Sequence, residues 1–165
     1  NWKPMMILCL TGTNPYSFER LIKYVDVELG SKHQVKIQIG NTECKPEYSE
    51  FFNFCDRDEI FSLINKADVV ISQGGYGSMM DVLSLKKTLI AVPRYKELNE
   101  SQDHQKELVD YFAQKGFLIP CYKIEDLKEL VEKAFRDEFK LVPYKTESDL
   151  KVSEIIKNFI TDNNL

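Results

Sequence analysis

The chain has only 2 histidines and 4 cysteines, and none of them stands at metal-ligand spacing. Cys9, Cys44, Cys55 and Cys121 form no CxxC pair, and His33 and His104 lie far apart, which disfavours zinc. The same cysteines read as reduced thiols of a cytoplasmic protein. No apolar run approaches the ~20 residues of a membrane-crossing helix, and Met5 to Leu10 is too short for the core of a signal peptide. Asn1 to Pro4 precede the first methionines. Basic residues are not in excess: 22 Lys and Arg against 26 Asp and Glu leave a net charge of −4, which argues against a nucleic-acid surface. Repeats, low-complexity stretches and linkers are missing, so residues 1–165 read as one domain with one hydrophobic core. A Walker sequence is missing too. No GxGxxG follows the first strand, which disfavours a nicotinamide-dependent oxidoreductase.

Glycine is also scarce, with 7 in the chain, yet three of them fall at positions 74, 75 and 77. They follow the apolar run Val69-Val70-Ile71 and precede a helix-forming segment that starts at Ser78. A strand, a glycine turn and a helix N-terminus together suit a phosphate group. Glycine admits close approach of the backbone, the first helical amides have no partner within the helix, and the macrodipole adds positive potential. A tight strand-to-helix turn without a ligand has the same composition.

The remaining elements alternate. Strands are predicted over Met6–Leu10, Val35–Ile39, Phe51–Cys55, Val69–Ser72, Leu89–Val92 and Phe117–Ile119. Helices are predicted over about 18–29 with Ser17 as cap, 59–66 with Asp58 as cap, 78–86, 105–115, 124–137 and 147–161. The strands are apolar on both faces, which implies a parallel sheet covered by helices on both sides. The fold class is therefore α/β, a Rossmann-like doubly wound parallel sheet with C-terminal helices. Such sheets take ligands beyond the C-terminal ends of their strands, where the loops Thr11–Asn14 and Gln73–Ser78 open. The last helix, with Leu150, Ile155, Ile156, Phe159 and Ile160, is either a cover for the sheet or a partner surface.

Three polar groupings accompany the glycine loop. Asp81 lies one helical turn beyond Ser78. It is placed either to accept hydrogen bonds from a ribose diol or to complement the helix dipole. Asp56-Arg57-Asp58 has the spacing of a metal-binding acidic triplet, but Asp58 is already assigned as a helix cap, so no metal site is predicted. Asp103-His104-Gln105 opens a helix after the fifth strand. There it reads as a ligand-facing polar set or as a capped surface helix, and His104 is the histidine nearest the ligand edge.

The segment Ala67-Asp68-Val69-Val70-Ile71-Ser72-Gln73-Gly74-Gly75-Tyr76-Gly77-Ser78-Met79-Met80-Asp81-Val82-Leu83, then Leu89-Ile90-Ala91-Val92-Pro93-Arg94, Asn99-Glu100 and Asp103-His104-Gln105, resembles the donor-binding domain of MurG-like glycosyltransferases. It is most similar to the free-standing type, the soluble catalytic subunit of two-component transferases that act on dolichol-linked chitobiose or in bacterial capsule and exopolysaccharide assembly. The resemblance spans about Met6 to Tyr122. It implies half of a GT-B fold and a UDP-sugar donor. Gly12, Thr13, Gly74, Gly75, Tyr76, Gly77, Ser78, Asp81, Asp103 and Gln105 would bind the donor, with His104 in the catalytic role, and no cofactor or metal. Gln73 departs from the family's frequent histidine, Lys86-Lys87-Thr88 replaces its usual Gly-Lys-Pro, and two extra residues separate Asn99 from Asp103.

The function expected on that basis is inverting, metal-independent transfer of a sugar from UDP to a lipid-linked acceptor. A membrane-anchored partner would supply the acceptor site and recruit this cytoplasmic chain to the inner face of the membrane. A non-catalytic nucleotide-sugar-binding subunit of such a complex is the alternative.

Overall fold

The computed structural model describes residues 4–144. Six strands form one sheet: β1 (Met6–Leu10), β2 (Gln34–Gln38), β3 (Glu50–Phe52), β4 (Val69–Gln73), β5 (Leu89–Val92) and β6 (Ile119–Pro120). Their order is β3-β2-β1-β4-β5-β6, and every pairing is parallel. The order reverses between β1 and β4, where Leu10 stands beside Ser72. The doubly wound sheet predicted from the apolar strands is what the chain forms.

The sheet is buried on both faces because its central strands alternate two apolar sets. Ile7, Cys9, Ile71, Ile90 and Val92 face α1 (Glu19–Glu28) and α5 (Leu127–Phe135). Leu8, Leu10, Val70, Leu89 and Ala91 face α2 (Arg57–Lys66), α3 (Tyr76–Ser84) and α4 (Gln105–Gln114). The helices contribute apolar stripes such as Leu21, Ile22 and Val25, or Leu108, Val109 and Phe112, all fully or nearly fully buried. Each such side chain contributes about 1.5–3 kcal/mol on burial. No described helix is long and apolar enough to cross a membrane.

Four local expectations are corrected. Helix α1 begins one residue later than Ser17 would place it, and no side chain caps it. The Ser17 carbonyl accepts from Arg94, and the Phe18 amide donates to Thr42 Oγ1 at 2.9 Å, so tertiary partners fix the chain where it enters α1. Helix α2 is capped by Asp56 rather than Asp58: Asp56 Oδ1 accepts from the Glu59 amide at 2.9 Å, the N3 position that a capping side chain reaches. Strand β3 covers Glu50–Phe52, not Phe51–Cys55, and β6 is the pair Ile119–Pro120. Both are edge strands, whose single neighbour sets how far they pair. The helix predicted over 147–161 lies outside the described residues. The one predicted over 124–137 is α5, preceded by a 3-10 turn over Ile124–Asp126.

A buried carboxylate organises the connection between β2 and β3. Asp26 on α1 accepts from the amides of Glu47, Tyr48 and Ser49 at 2.7, 3.0 and 2.9 Å. This ties the long loop down before it enters β3.

Candidate functional site

The ligand edge is built where β1 and β4 diverge. After β1 the chain turns at Gly12, whose φ of +75° favours glycine. A side chain there would also begin 2.2 Å from Gln73 Nε2 and 3.1 Å from Ser78 Oγ. The loops after β1 and β4 therefore touch, and glycine is what allows it. Gln38 at the end of β2 fixes this turn: its side-chain oxygen accepts from the Gly12 amide at 2.9 Å and its carbonyl from Thr11 Oγ1 at 2.6 Å.

The three glycines of the second loop have separate reasons. Gly74 is buried, and a Cβ there would meet Val109 at 2.7 Å and the Cβ of Gln105 at 3.2 Å, so it lets α4 pack against the loop. Its amide already donates to Gln105 Oε1 at 3.0 Å. Gly75 is the N-cap of α3, with extended backbone, and a Cβ there would meet Gln73 Nε2 at 2.8 Å. Helix α3 thus starts at Tyr76, two residues earlier than Ser78. Gly77 sits in its first turn, exposed, with nothing within 4 Å of where a Cβ would be. Its backbone is helical, where glycine costs roughly 0.5–1 kcal/mol relative to alanine. Neither conformation nor packing explains that glycine.

The first intrahelical bond runs from the Met79 amide to the Gly75 carbonyl at 3.1 Å. Helix geometry leaves the amides of Tyr76, Gly77 and Ser78 aimed out of the helix end. Gly77 and Ser78 line a cleft of about 340 Å³ together with Gly12, Thr13 and Asp81, and with Phe54, Cys55 and Arg57. Asp81 is half-buried. Burial raises its carboxyl above the ordinary carboxylate range, and the Arg57 guanidinium, 3.3 Å away, opposes that. The cleft thus offers amide and hydroxyl donors, a carboxylate paired with a guanidinium, an aromatic ring and a thiol.

The other predicted residues fall on the far side of the glycine loop. Gly74, Gly75, Tyr76, Asp103, His104 and Gln105 line a smaller hollow of about 70 Å³. His104 is exposed there as the N-cap of α4 without a capping side-chain bond. Gln105 turns inward instead: its Oε1 accepts from the amides of Gly74 and Arg94 at 3.0 and 2.9 Å, so it clamps the loops after β4 and β5. The fold brings all the predicted residues to one edge of the sheet but divides them between two concavities that share the glycine loop as a wall.

Two side chains without an assigned role hold this edge together. Arg94, following β5, is 2% exposed. Its guanidinium donates to the carbonyls of Thr11 (2.8 Å), Tyr16 (3.0 Å), Ser17 (3.3 Å) and Glu100 (3.0 Å), and to Gln73 Oε1 at 2.5 Å. It also stacks 4.6 Å over Phe18. Burial lowers its pKa to about 10, with the Glu100 carboxylate acting the other way, so it stays charged at neutral pH. Glu100 is paired bidentately with Arg20, at 2.9 and 3.0 Å. Arg20, Glu100 and Arg94 together therefore carry one net positive charge, and the hydrogen bonds of Arg94 end on neutral oxygens. Gln73 is buried beneath Gly12 and joins Arg94 to Ser78.

Residues 6–159 match the model of the glycosyltransferase family 28 C-terminal domain. The chain belongs to this family. A UDP-N-acetylglucosamine transferase subunit ALG13 from Debaryomyces hansenii is 42% identical over 131 residues, covering 72% of this chain and 59% of the relative. A UDP-N-acetylglucosamine–N-acetylmuramyl-(pentapeptide) pyrophosphoryl-undecaprenol N-acetylglucosamine transferase from Prochlorococcus marinus is 23% identical, covering 99% of this chain and 47% of the relative. The chain thus spans about half the length of these curated relatives. Among solved structures, an NMR structure of ALG13 superposes with a TM-score of 0.61 at 18% identity, covering 91% of this chain and 94% of that one. A crystal structure of MurG from Acinetobacter baumannii gives 0.58 at 16% identity, covering 82% of this chain and 42% of that one. These likenesses establish the fold, the Rossmann-like half of a GT-B glycosyltransferase. For a family 28 domain, the glycine loop and Asp81 stand at the edge where doubly wound sheets take ligands.

Proposed function

We propose that the chain, taken as one domain, is the donor-binding catalytic subunit of an inverting glycosyltransferase that takes its sugar from a UDP-sugar. Gly77 carries the reading. It is a glycine in a helical first turn, with no neighbour to avoid, facing a cleft into which free amides point. Close approach of a ligand to that backbone accounts for it. A diphosphate suits the amides of Tyr76, Gly77 and Ser78, the ribose diol suits Asp81, and the base suits the wall at Phe54 and Cys55. The names of the family relatives support N-acetylglucosamine as the sugar and a lipid pyrophosphate as the acceptor.

In the reaction the leaving UDP gains negative charge at its β-phosphate. Amide dipoles held in a fixed helix end stabilise that charge without reorganising and without a metal. His104, on the neighbouring hollow, donates a hydrogen bond to the sugar or the leaving phosphate once the donor spans the glycine loop. A membrane-anchored partner subunit supplies the acceptor site and recruits this chain from the cytoplasm to the inner face of the membrane. The setting is capsule or exopolysaccharide assembly on a lipid carrier, a reading that the family resemblance supports.

Calorimetry with UDP and UDP-sugars tests the donor half. Saturable binding by the isolated chain and turnover only after mixing with the partner subunit are expected. Gly75→Val should close the loop and abolish binding. A Gly75→Val protein that binds UDP as the parent does would remove the site from this loop. His104→Ala and Asp81→Ala in the mixed complex separate catalysis from scaffolding, since a scaffold would keep its turnover.

A further inference from the structure

We infer that Gln73 is a positioning residue that fixes the direction in which the Ser78 hydroxyl donates, with Arg94 setting that direction from beneath. The inference rests on the assignment of the cleft to a diphosphate. An arginine side chain carries N–H groups and no acceptor. Arg94 Nε lies 2.5 Å from Gln73 Oε1, so the oxygen end of that carboxamide is identified by its partner. Gln105 Nε2 approaches the same oxygen at 3.3 Å. Gln105 is itself oriented by the two backbone amides on its Oε1, so its nitrogen is the end that faces Gln73.

What remains of Gln73 is its NH₂ group, and this faces Ser78 Oγ at 3.4 Å. A hydroxyl that receives an N–H at its lone pair keeps its own proton for another acceptor. Ser78 is in the first turn of α3 and lines the cleft, so that proton is available to an anion lying over the helix end. Gln73 itself is buried under Gly12 and is absent from the cleft lining, so it acts through Ser78 rather than on the ligand. The sequence of donors, guanidinium to carboxamide to hydroxyl, runs in one direction and begins at a group that cannot accept. Such chains polarise in the same sense.

Gln73→Glu tests this, because it keeps the shape and gives Arg94 an ionised partner. A carboxylate has no N–H to offer, so Ser78 must turn its own proton inward and present a lone pair to the phosphate. The full chain is compared with Q73E, S78A and the double variant by UDP calorimetry and urea unfolding. Q73E should unfold at or above the parent's midpoint and bind UDP at least about tenfold more weakly. In the S78A background the same change should weaken binding by a clearly smaller factor, since only the added charge then acts. Equal factors in the two backgrounds, or a Q73E protein that binds like the parent, would overturn the inference and leave the donor site standing. A parent that does not bind UDP would remove the site and the inference together. Should Q73E fail to fold, the Gln73 side-chain amide resonance of the ¹⁵N-labelled parent decides. S78A must shift it, and an unmoved resonance overturns the proposal.

Discussion

Replacing Gly77 with alanine separates stability from binding in opposite directions. In the free protein the added methyl meets nothing within 4 Å, and the backbone is already helical. The only effect on folding is the one that distinguishes alanine from glycine in a helix, a gain of roughly 0.5–1 kcal/mol. For a chain of this size that raises Tm by about 1–4 °C. In the complex the methyl lies in the cleft beside the amides of Tyr76 and Ser78, where a phosphate oxygen must come within hydrogen-bonding distance. Displacing the ligand from one charge-assisted bond costs about 1.5–3 kcal/mol, or roughly 10- to 100-fold in affinity. Differential scanning calorimetry and UDP titration on the same sample read both quantities. A Gly77→Ala protein that is more stable and binds UDP within about twofold of the parent would refute the claim that this glycine is kept for a ligand.

The remaining predictions concern the groups around the cleft. Arg94→Met should lower stability by at least about 1–3 kcal/mol, the cost of one buried acceptor left unpaired, because Gln73 and four carbonyls lose their donor, and a urea midpoint within the error of the parent's would show that the carbonyls find other partners. Asp81, held above its ordinary value of 3.8 by burial, accepts from both hydroxyls of a ribose diol through both its oxygens when ionised, and protonation turns one of those acceptors into a donor. Affinity for UDP should therefore fall as pH falls through that raised pKa, and Asp81→Asn should lose this part of the profile. Identical pH profiles for the two proteins would assign the dependence to the phosphate instead. Burial pushes the thiols of Cys9 and Cys121 up to about 12, so brief alkylation near pH 8 followed by mass spectrometry should mark only Cys44 and Cys55. Saturating UDP should protect Cys55, which lines the cleft, and leave Cys44 reactive.

The sheet was legible because burial on both faces leaves an unmistakable mark on a strand. Val69-Val70-Ile71 and Leu89-Ile90-Ala91-Val92 carry apolar residues at every position, and each turned out to be a central parallel strand. The glycine loop was legible for a related reason, since glycines crowded between strand and helix mark a backbone that something approaches. Sequence could not divide the labour among them. Gly74 answers to Val109, Gly75 caps a helix, and only Gly77 is left for a ligand, and these distinctions depend on which helix packs behind the loop. Asp26 stood in an apolar stripe with no sign of its purpose, because the amides it holds are on a loop 21 to 23 residues away. Gln105, read as ligand-facing, carries polar atoms that pattern alone cannot aim, and its backbone partners Gly74 and Arg94 draw it inward.

Arg94 was the hardest residue to read and explains why the edge holds its shape. Its partners are backbone oxygens at residues 11, 16, 17 and 100, together with a carboxamide at 73, and oxygens of that kind have no sequence signature. A buried arginine paired with a carboxylate would contribute little net field. Here the nearby carboxylate, Glu100, is hydrogen-bonded to Arg20, so Arg20, Glu100 and Arg94 together keep one net positive charge. In a chain of net charge −4, a unit of positive charge is thus fixed behind the loops that face the cleft. It cannot be screened by moving solvent, because it is 2% exposed. The α3 amides and this guanidinium both add positive potential at the helix end, and both are immobile before any ligand arrives. Preorganised positive potential of this kind favours the more highly charged of two ligands that fit the same space. A cleft built this way should distinguish UDP from uridine far more sharply than UDP from another nucleoside diphosphate, whose base meets only Phe54 and Cys55.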